Sequence, residues 1–211
     1  MNAEQILAQV AEEVRSCQRC PLHRARRKAV PGEGPADAEI MFIGEAPGFH
    51  ENVQGRPFVG AAGQFLDELL HSIGLRREEV YITNVVKCRP PGNRDPEPEE
   101  LAACEPYLDR QIKAIRPKVI VTLGRFSMAK FIRNAKISQI HGKPVKVRGQ
   151  LVVPMYHPAA ALHQPSLRRV VEADFARLPD IIRQAAEIPE SVEEIAEEKP
   201  SKDKPQQLSL F

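Results

Sequence analysis

The chain predicts an α/β fold, three layers deep, with helices on both faces of a central four-stranded, mostly parallel sheet. Three observations carry that prediction. Four short apolar, β-branched runs occupy residues 39–44, 80–86, 119–124 and 151–156, and near-continuous apolar runs are what strands buried on both faces of a parallel sheet require. Segments of helical period lie between them, at about 61–73, 99–115 and 125–133, with the spacing a crossover between parallel strands demands. The runs also end in residues suited to loops: Glu45 after the first, Asn84 in the second, Gly124 and then His157-Pro158.

Taken in order, residues 1–16 read as a flanking helix. The first strand, 39–44, contains Ile40-Met41-Phe42-Ile43 and empties into Gly44-Glu45-Ala46-Pro47-Gly48, followed by Gly55-Arg56-Pro57-Phe58-Val59-Gly60. The helix after it carries Gln64-Phe65-Leu66-Asp67-Glu68-Leu69-Leu70, an amphipathic pattern. Strands 80–86 and 119–124 flank the helix at 99–115, and a Gly-Lys-Pro turn within 137–148 is expected to join short extended pieces before the fourth strand. A last helix is predicted at about 167–187.

With 211 residues and 42% apolar content the chain can bury one sizeable core. One domain is expected over residues 1–186. The formal charge of +2 is uneven: Glu187 to Lys204 holds seven acids and three lysines, a net −4, which leaves +6 on residues 1–186. A mildly basic body suits a polyanionic partner, although a solvated lysine-rich face gives the same count. No apolar run approaches the ~18 residues of a membrane helix, and the first residues lack a signal-peptide pattern. A cytoplasmic protein with no membrane partner is expected.

Disulfides are rare in that compartment, so the four cysteines need another reason. Cys17 and Cys20 form a CxxC pair, whereas Cys88 and Cys104 lie far along the chain with fifteen residues between them. Four thiolates make a full tetrahedral set, for zinc or for the corners of an iron-sulfur cluster, and spacing does not choose between them. Small buried thiols would be the plain alternative. Pro21 after Cys20 and Arg89-Pro90-Pro91 after Cys88 favour metal ligation, because they put both cysteines at loop entries.

In an open parallel sheet ligands bind outside the carboxyl ends of the strands, so Glu45, Asn84, Gly124 and His157 should project onto one rim. Singly, each is as readily a cap or a turn residue. Together they suit a polar ring: Asn84 offers an amide donor and acceptor, His157 a donor for a developing anion, Phe58 a flat face.

The combination of Gly44-Glu45-Ala46-Pro47-Gly48, Gly55-Arg56-Pro57-Phe58-Val59-Gly60, Thr83-Asn84-Val85-Val86-Lys87-Cys88-Arg89-Pro90-Pro91 and His157-Pro158 resembles the family 4 uracil-DNA glycosylases, the iron-sulfur branch of that superfamily, over roughly residues 5–185. The resemblance implies a glycosylase-like fold and a 4Fe-4S cluster rather than zinc on Cys17, Cys20, Cys88 and Cys104. It also implies a uracil pocket of Gly44, Glu45, Ala46, Phe58, Asn84 and His157. Where the family commonly carries an acidic pair after the first loop, this chain has Glu51-Asn52.

On that reading a uracil rotated out of the stack is read by Asn84, while cytosine, with an amino group and a bare ring nitrogen at the same edge, mismatches. Cleavage builds positive charge on the sugar and negative charge on the base. His157 then serves the departing base, and Glu45 or Glu51 orients water; the sequence does not choose between the two acids. Asn93 and Arg94, in a basic loop, are candidate DNA contacts. Leu162 is a candidate wedge by resemblance. Arg24, Arg26, Arg27 and Lys28 offer another candidate phosphate surface.

Beyond Glu187 the composition turns to Glu, Lys, Pro and Ser, the signature of a disordered linker over 187–206. It ends in Gln207-Leu208-Ser209-Leu210-Phe211, where apolar side chains on a tether suggest a docking peptide. That pentapeptide resembles the motif by which bacterial replication and repair proteins bind the DNA polymerase sliding clamp, through Gln207, Leu208, Leu210 and Phe211. A monomer associated with the nucleoid is the matching expectation.

Three other readings stand beside this one. A noncatalytic metal-stapled nucleic-acid-binding module fits the same cysteines and tail. A covalent uracil-trapping relative is disfavoured, because residues 89–103 lack the basic, histidine-containing insertion that such an activity resembles. A metallohydrolase using His23, His50, His157 and His163 has no HxH or HExxH pairing to rest on.

Overall fold

The computed structural model describes residues 1–185 and 187; the rest of the predicted linker and the terminal peptide 207–211 lie outside the described residues. Four parallel strands form the body of the sheet: β1 (Ile40–Gly44), β2 (Tyr81–Asn84), β3 (Val119–Leu123) and β5 (Gln150–Met155). A short strand, β4 (Val145–Val147), completes the order β2-β1-β3-β5-β4. β1 and β2 pair from Met41↔Tyr81 to Gly44↔Asn84, and β1 and β3 from Ile40↔Val119 to Ile43↔Thr122. Every residue of β1, β2 and β3 is buried, which is why these strands read as largely apolar runs.

The sheet therefore has five strands among the described residues rather than the expected four. β4 pairs antiparallel with β5 (Val145↔Val152, Val147↔Gln150). Between them Arg148 and Gly149 both hold positive φ, 50° and 78°, the backbone of a two-residue hairpin turn. Three half-buried residues on an edge carry too little pattern to be recognised alone. The start of the 137–148 segment is a one-turn helix, α6 (Ile137–Ile140), not an extended piece, and Gly142-Lys143-Pro144 joins it to β4.

Successive strand residues point to opposite faces, and each face has its own core. Phe42, Val121 and Val153 pack against α3 (Ala61–Ser72) and α8 (Pro165–Arg183) through Phe65, Leu66, Leu69, Phe175 and Leu178. Phe42 and Phe175 stack with ring centroids 5.9 Å apart. Met41, Ile43 and Ile120 pack on the other face against α1 (Ala3–Ser16) and α4 (Pro98–Ile115) through Val10, Val14, Tyr107 and Leu108, with α5 (Arg125–Phe131) at its margin. Each fully buried Leu or Phe contributes about 1.5–3 kcal/mol, so the two faces together fix the three-layer arrangement.

Two short helices at the carboxyl end of the sheet complete the fold: α2 (Phe49–Gln54), after β1, and α7 (Pro158–His163), after β5. The chain leaves β1 towards β2 on one side and returns to β3 on the other. That reversal opens the crevice in which ligands of such sheets bind.

Candidate active site

A cleft of about 340 Å³ lies at this crevice, and its walls include Glu45, Glu51, Phe58, Asn84 and His157. Strands end beneath it. Asn84 is the last residue of β2, Glu45 follows β1, and His157 is the N-cap of α7 two residues beyond β5. Gly44 is buried behind the wall residues Asn84 and Phe58 rather than lining the cleft, and has no room for a side chain: a Cβ there would stand 2.4 Å from Asn84 Oδ1 and 2.6 Å from the Phe58 ring.

Asn84 is buried, yet its Oδ1 has no hydrogen-bond partner. Thr122 Oγ1, in β3, is the other such buried side-chain atom among the described residues. An orphaned buried acceptor costs about 1–3 kcal/mol, and Asn84 carries this one in the cleft wall.

His157 packs against the Phe58 ring at a centroid distance of 5.4 Å and an interplanar angle of 23°. Its Nδ1 accepts from the Ala159 amide at 3.1 Å. In the neutral ring that bond leaves Nε2 as the protonated nitrogen. Burial holds the pKa down at about 4, with Glu51 opposing weakly. The imidazole is therefore neutral at physiological pH, and its free N–H is a donor. Gly124, at φ 95°, keeps the end of β3 clear: a Cβ there would lie 3.3 Å from that of His157.

Phe58 is buried in a left-handed conformation, φ 50°, which a non-glycine residue holds only when its surroundings impose it. Arg77 imposes it. Its guanidinium donates to the Phe58 carbonyl at 2.9 Å and to the Pro57 carbonyl, and pairs with Glu33 and Asp67. Gly63 of α3 admits the loop, since a Cβ there would sit 1.9 Å from the Phe58 oxygen.

The two acids differ. Glu51 Oε1 accepts from the amides of Val59 and Gly60 at 2.8 and 2.9 Å, capping α3 and pinning the Phe58 loop. Glu45 makes no side-chain hydrogen bond among the described residues; burial, with the Asp95 carboxylate nearby, raises its pKa, while Arg125 pulls the other way. Asn52, where the sequence departs from an acidic pair, is buried and accepts from the Arg27 amide at 2.9 Å. It ties α2 to the segment after the CxxC pair.

Asn93 and Arg94 also reach the cleft wall. The Arg94 guanidinium is held by Glu100 at 2.6 and 2.9 Å, and Asn93 Oδ1 accepts from Arg89 at 2.7 Å. Leu162 does not line the cleft but stands 43% exposed on α7 between two residues on from Ala160 and one before His163, both of which do. Gln207, Leu208, Leu210 and Phe211 lie outside the described residues.

All four cysteines face one small cavity, with Arg26, Lys87 and Tyr107. Arg26 donates to Cys88 Sγ at 3.3 Å, the Lys87 amide to Cys104 Sγ at 3.4 Å and the Arg19 amide to Cys17 Sγ at 3.5 Å. Four sulfurs around one cavity, three of them supplied with N–H donors, suit a cluster cradle, in which such bonds settle on the ligating sulfur. No group of three or more His, Cys, Asp or Glu side chains among the described residues is placed to hold a metal ion.

Lys87, unremarked in the sequence, joins the two sites. It is fully buried, and its Nζ donates to Thr83 Oγ1, the Asn84 carbonyl and Gln111 Oε1 at 2.6, 2.8 and 2.8 Å. Burial brings its pKa down to about 7, against the pull of Cys104. The sequence signal that could have found it is its position between Asn84 and Cys88.

Comparison with known proteins agrees with this geometry. A family model described as the uracil DNA glycosylase superfamily matches residues 31–177. The chain is 52% identical over 187 residues to the type-4 uracil-DNA glycosylase of Saccharolobus solfataricus, covering 82% of this chain and 85% of that one. It is 51% identical to that of Archaeoglobus fulgidus (83% and 92% covered) and 46% identical to that of Thermotoga maritima (85% and 96% covered).

Proposed function

The chain belongs to the uracil-DNA glycosylase superfamily, and from that membership we propose how its cleft excises uracil. It is a uracil-DNA glycosylase, a hydrolase of DNA repair. The observation that carries the site assignment is the unpaired Asn84 Oδ1 in a wall shared with Phe58 and His157.

An extruded uracil enters the cleft and stacks on Phe58, recovering part of the few kcal/mol spent on unstacking. Asn84 Oδ1 accepts the ring N–H and its amide nitrogen donates to the adjacent carbonyl. Cytosine offers neither group in that order. As the bond from the sugar carbon to the base nitrogen breaks, its electron pair leaves with the base, and the neutral His157 donates from Nε2 to the carbonyl oxygen that gathers the charge. Water closes on the sugar carbon and loses its proton to a carboxylate. Glu45 suits that role, since it is uncommitted and its raised pKa makes it the stronger base. Glu51, held by two amides, maintains the wall and adds negative charge near the cationic sugar.

Cys17, Cys20, Cys88 and Cys104 hold a 4Fe-4S cluster on this reading. When bound it supplies iron–sulfur bonds that staple the segment before β1, the loop after β2 and α4. Freshly purified protein then shows a broad brown absorption band; colourless protein with stoichiometric zinc overturns the assignment. Asn93, Arg94 and Leu162 contact DNA around the cleft, and the terminal peptide recruits the protein to a sliding clamp. The protein acts as a nucleoid-associated monomer in the cytoplasm; among the described residues no helix is long and apolar enough to cross a membrane.

Incubation with a uracil-containing strand and a thymine control tests the whole reading. Free uracil from the first alone is expected. A stable protein–DNA conjugate would indicate a trap, and binding without release a noncatalytic module.

A further inference from the structure

Outside the cleft, on its rim, stands a second aromatic surface. Phe49, the first residue of α2, is 53% exposed. A buried Phe gains about 1.5–3 kcal/mol over an exposed one, so an open ring at this place needs a purpose. It sits between Gly48 and Glu51, both in the cleft wall. From the facing loop Arg89 lies over the ring, its guanidinium carbon 5.4 Å from the centroid. The same Arg89 donates to Asn93, a wall residue. The pair thus bridges the loops that leave β1 and β2.

Leu162, the other exposed large apolar side chain near the site, follows β5. β3 lies between β1 and β5, so two strand spacings, about 10 Å, separate the strands that deliver the two. Apolar groups therefore flank the cleft along the sheet's rim.

We propose that Phe49, with Arg89 over one face, is a stacking platform for the nucleobase next to the extruded uracil. The ligand class is an unpaired or unstacked base of the same DNA strand. This rests on the glycosylase reading, which puts that strand across the cleft mouth. Flat ring and guanidinium together are the pattern of sequence-tolerant strand binding: the base stacks, and the cation favours the phosphate beside it. Continuity with the cleft, and the positive charge of Arg89, select a nucleobase over an apolar protein segment.

The test uses the full chain and single-stranded oligonucleotides carrying non-cleavable 2′-fluoro-2′-deoxyuridine, with 2-aminopurine placed 5′ or 3′ to it. The wild type should quench 2-aminopurine at one flank. Phe49→Ala should lose that quench and bind roughly 5- to 150-fold more weakly, the range expected for one base–aromatic stack; Phe49→Trp should restore both. On cleavable substrate the loss should fall on KM. Replacing both flanking nucleotides by abasic spacers should make wild type and Phe49→Ala equal. Unchanged quench and affinity in Phe49→Ala, or an equal loss on the abasic-flanked strand, would overturn the platform. So would loss of binding to another protein with DNA affinity intact. Should the wild type release no uracil, the glycosylase reading fails on its own, and the quench and affinity still decide the platform.

Discussion

Asn84→Ala should lower uracil excision without costing stability. The side chain is 2% exposed and its Oδ1 has no partner. A bidentate contact to a base edge is worth about 1–3 kcal/mol, so losing it should reduce kcat/KM roughly 5- to 150-fold. In the free protein the same truncation removes an orphaned acceptor that costs about 1–3 kcal/mol, against roughly 1 kcal/mol of lost packing. The net change in unfolding free energy should be about 0 to +2 kcal/mol, in the stabilising direction. Uracil release from a labelled oligonucleotide reads the first quantity, and urea denaturation of the same preparations reads the second. Activity within twofold of wild type would remove Asn84 from recognition. A destabilisation beyond about 2 kcal/mol would make it a structural residue, and the reasoning from its unmet bond would be wrong.

His157→Ala should slow excision about 10²- to 10³-fold, the usual effect of losing one donor to a developing anion, while binding to abasic DNA changes little; equal losses in both would make His157 a binding residue. The same substitution should alter the acid stability profile. With a folded pKa of about 4 against an unfolded value near 6.5, the unfolded chain takes up the proton first, so stability falls as pH drops from about 6.5 to 4. Tm measured across that window should fall less steeply in the variant. Glu45 must be ionised to accept a proton, and its pKa is raised, so the acid limb of kcat should lie above the ordinary carboxylate range and vanish in a slowed Glu45→Gln enzyme; a persistent limb would pass the role to Glu51. Deleting residues 207–211 should abolish binding to a bacterial sliding clamp and spare excision on short oligonucleotides, whereas clamp binding by the truncated protein would refute the docking peptide.

Much of this arrangement was legible in the residues. β1, β2, β3 and β5 announce themselves because strands buried on both faces are built mainly of apolar side chains, and the ends of β1, β2 and β5 locate Glu45, Asn84 and His157 without any knowledge of packing. Phe58 was legible through the glycines around it. What stayed hidden depends on contacts distant in sequence or on elements too short for a period. β4 is three residues long, and α2 is six, with no apolar stripe. Arg77 lies nineteen residues beyond the Phe58 carbonyl it holds, and a lone arginine gives no sign of such a role. Lys87 reads as surface until Thr83, Asn84 and Gln111 are seen to enclose it. Likewise the difference between Glu45 and Glu51 is one of hydrogen bonding: two amides occupy Glu51, and only the fold brings them there.

A crystal structure of the protein with an oligonucleotide product and free uracil bears most directly on the central claim. The base is expected against Phe58, its N–H and adjacent carbonyl on the Asn84 amide, and its other carbonyl on His157 Nε2. Uracil bound at another surface, or in the cleft with Asn84 Oδ1 still unpaired, would contradict it.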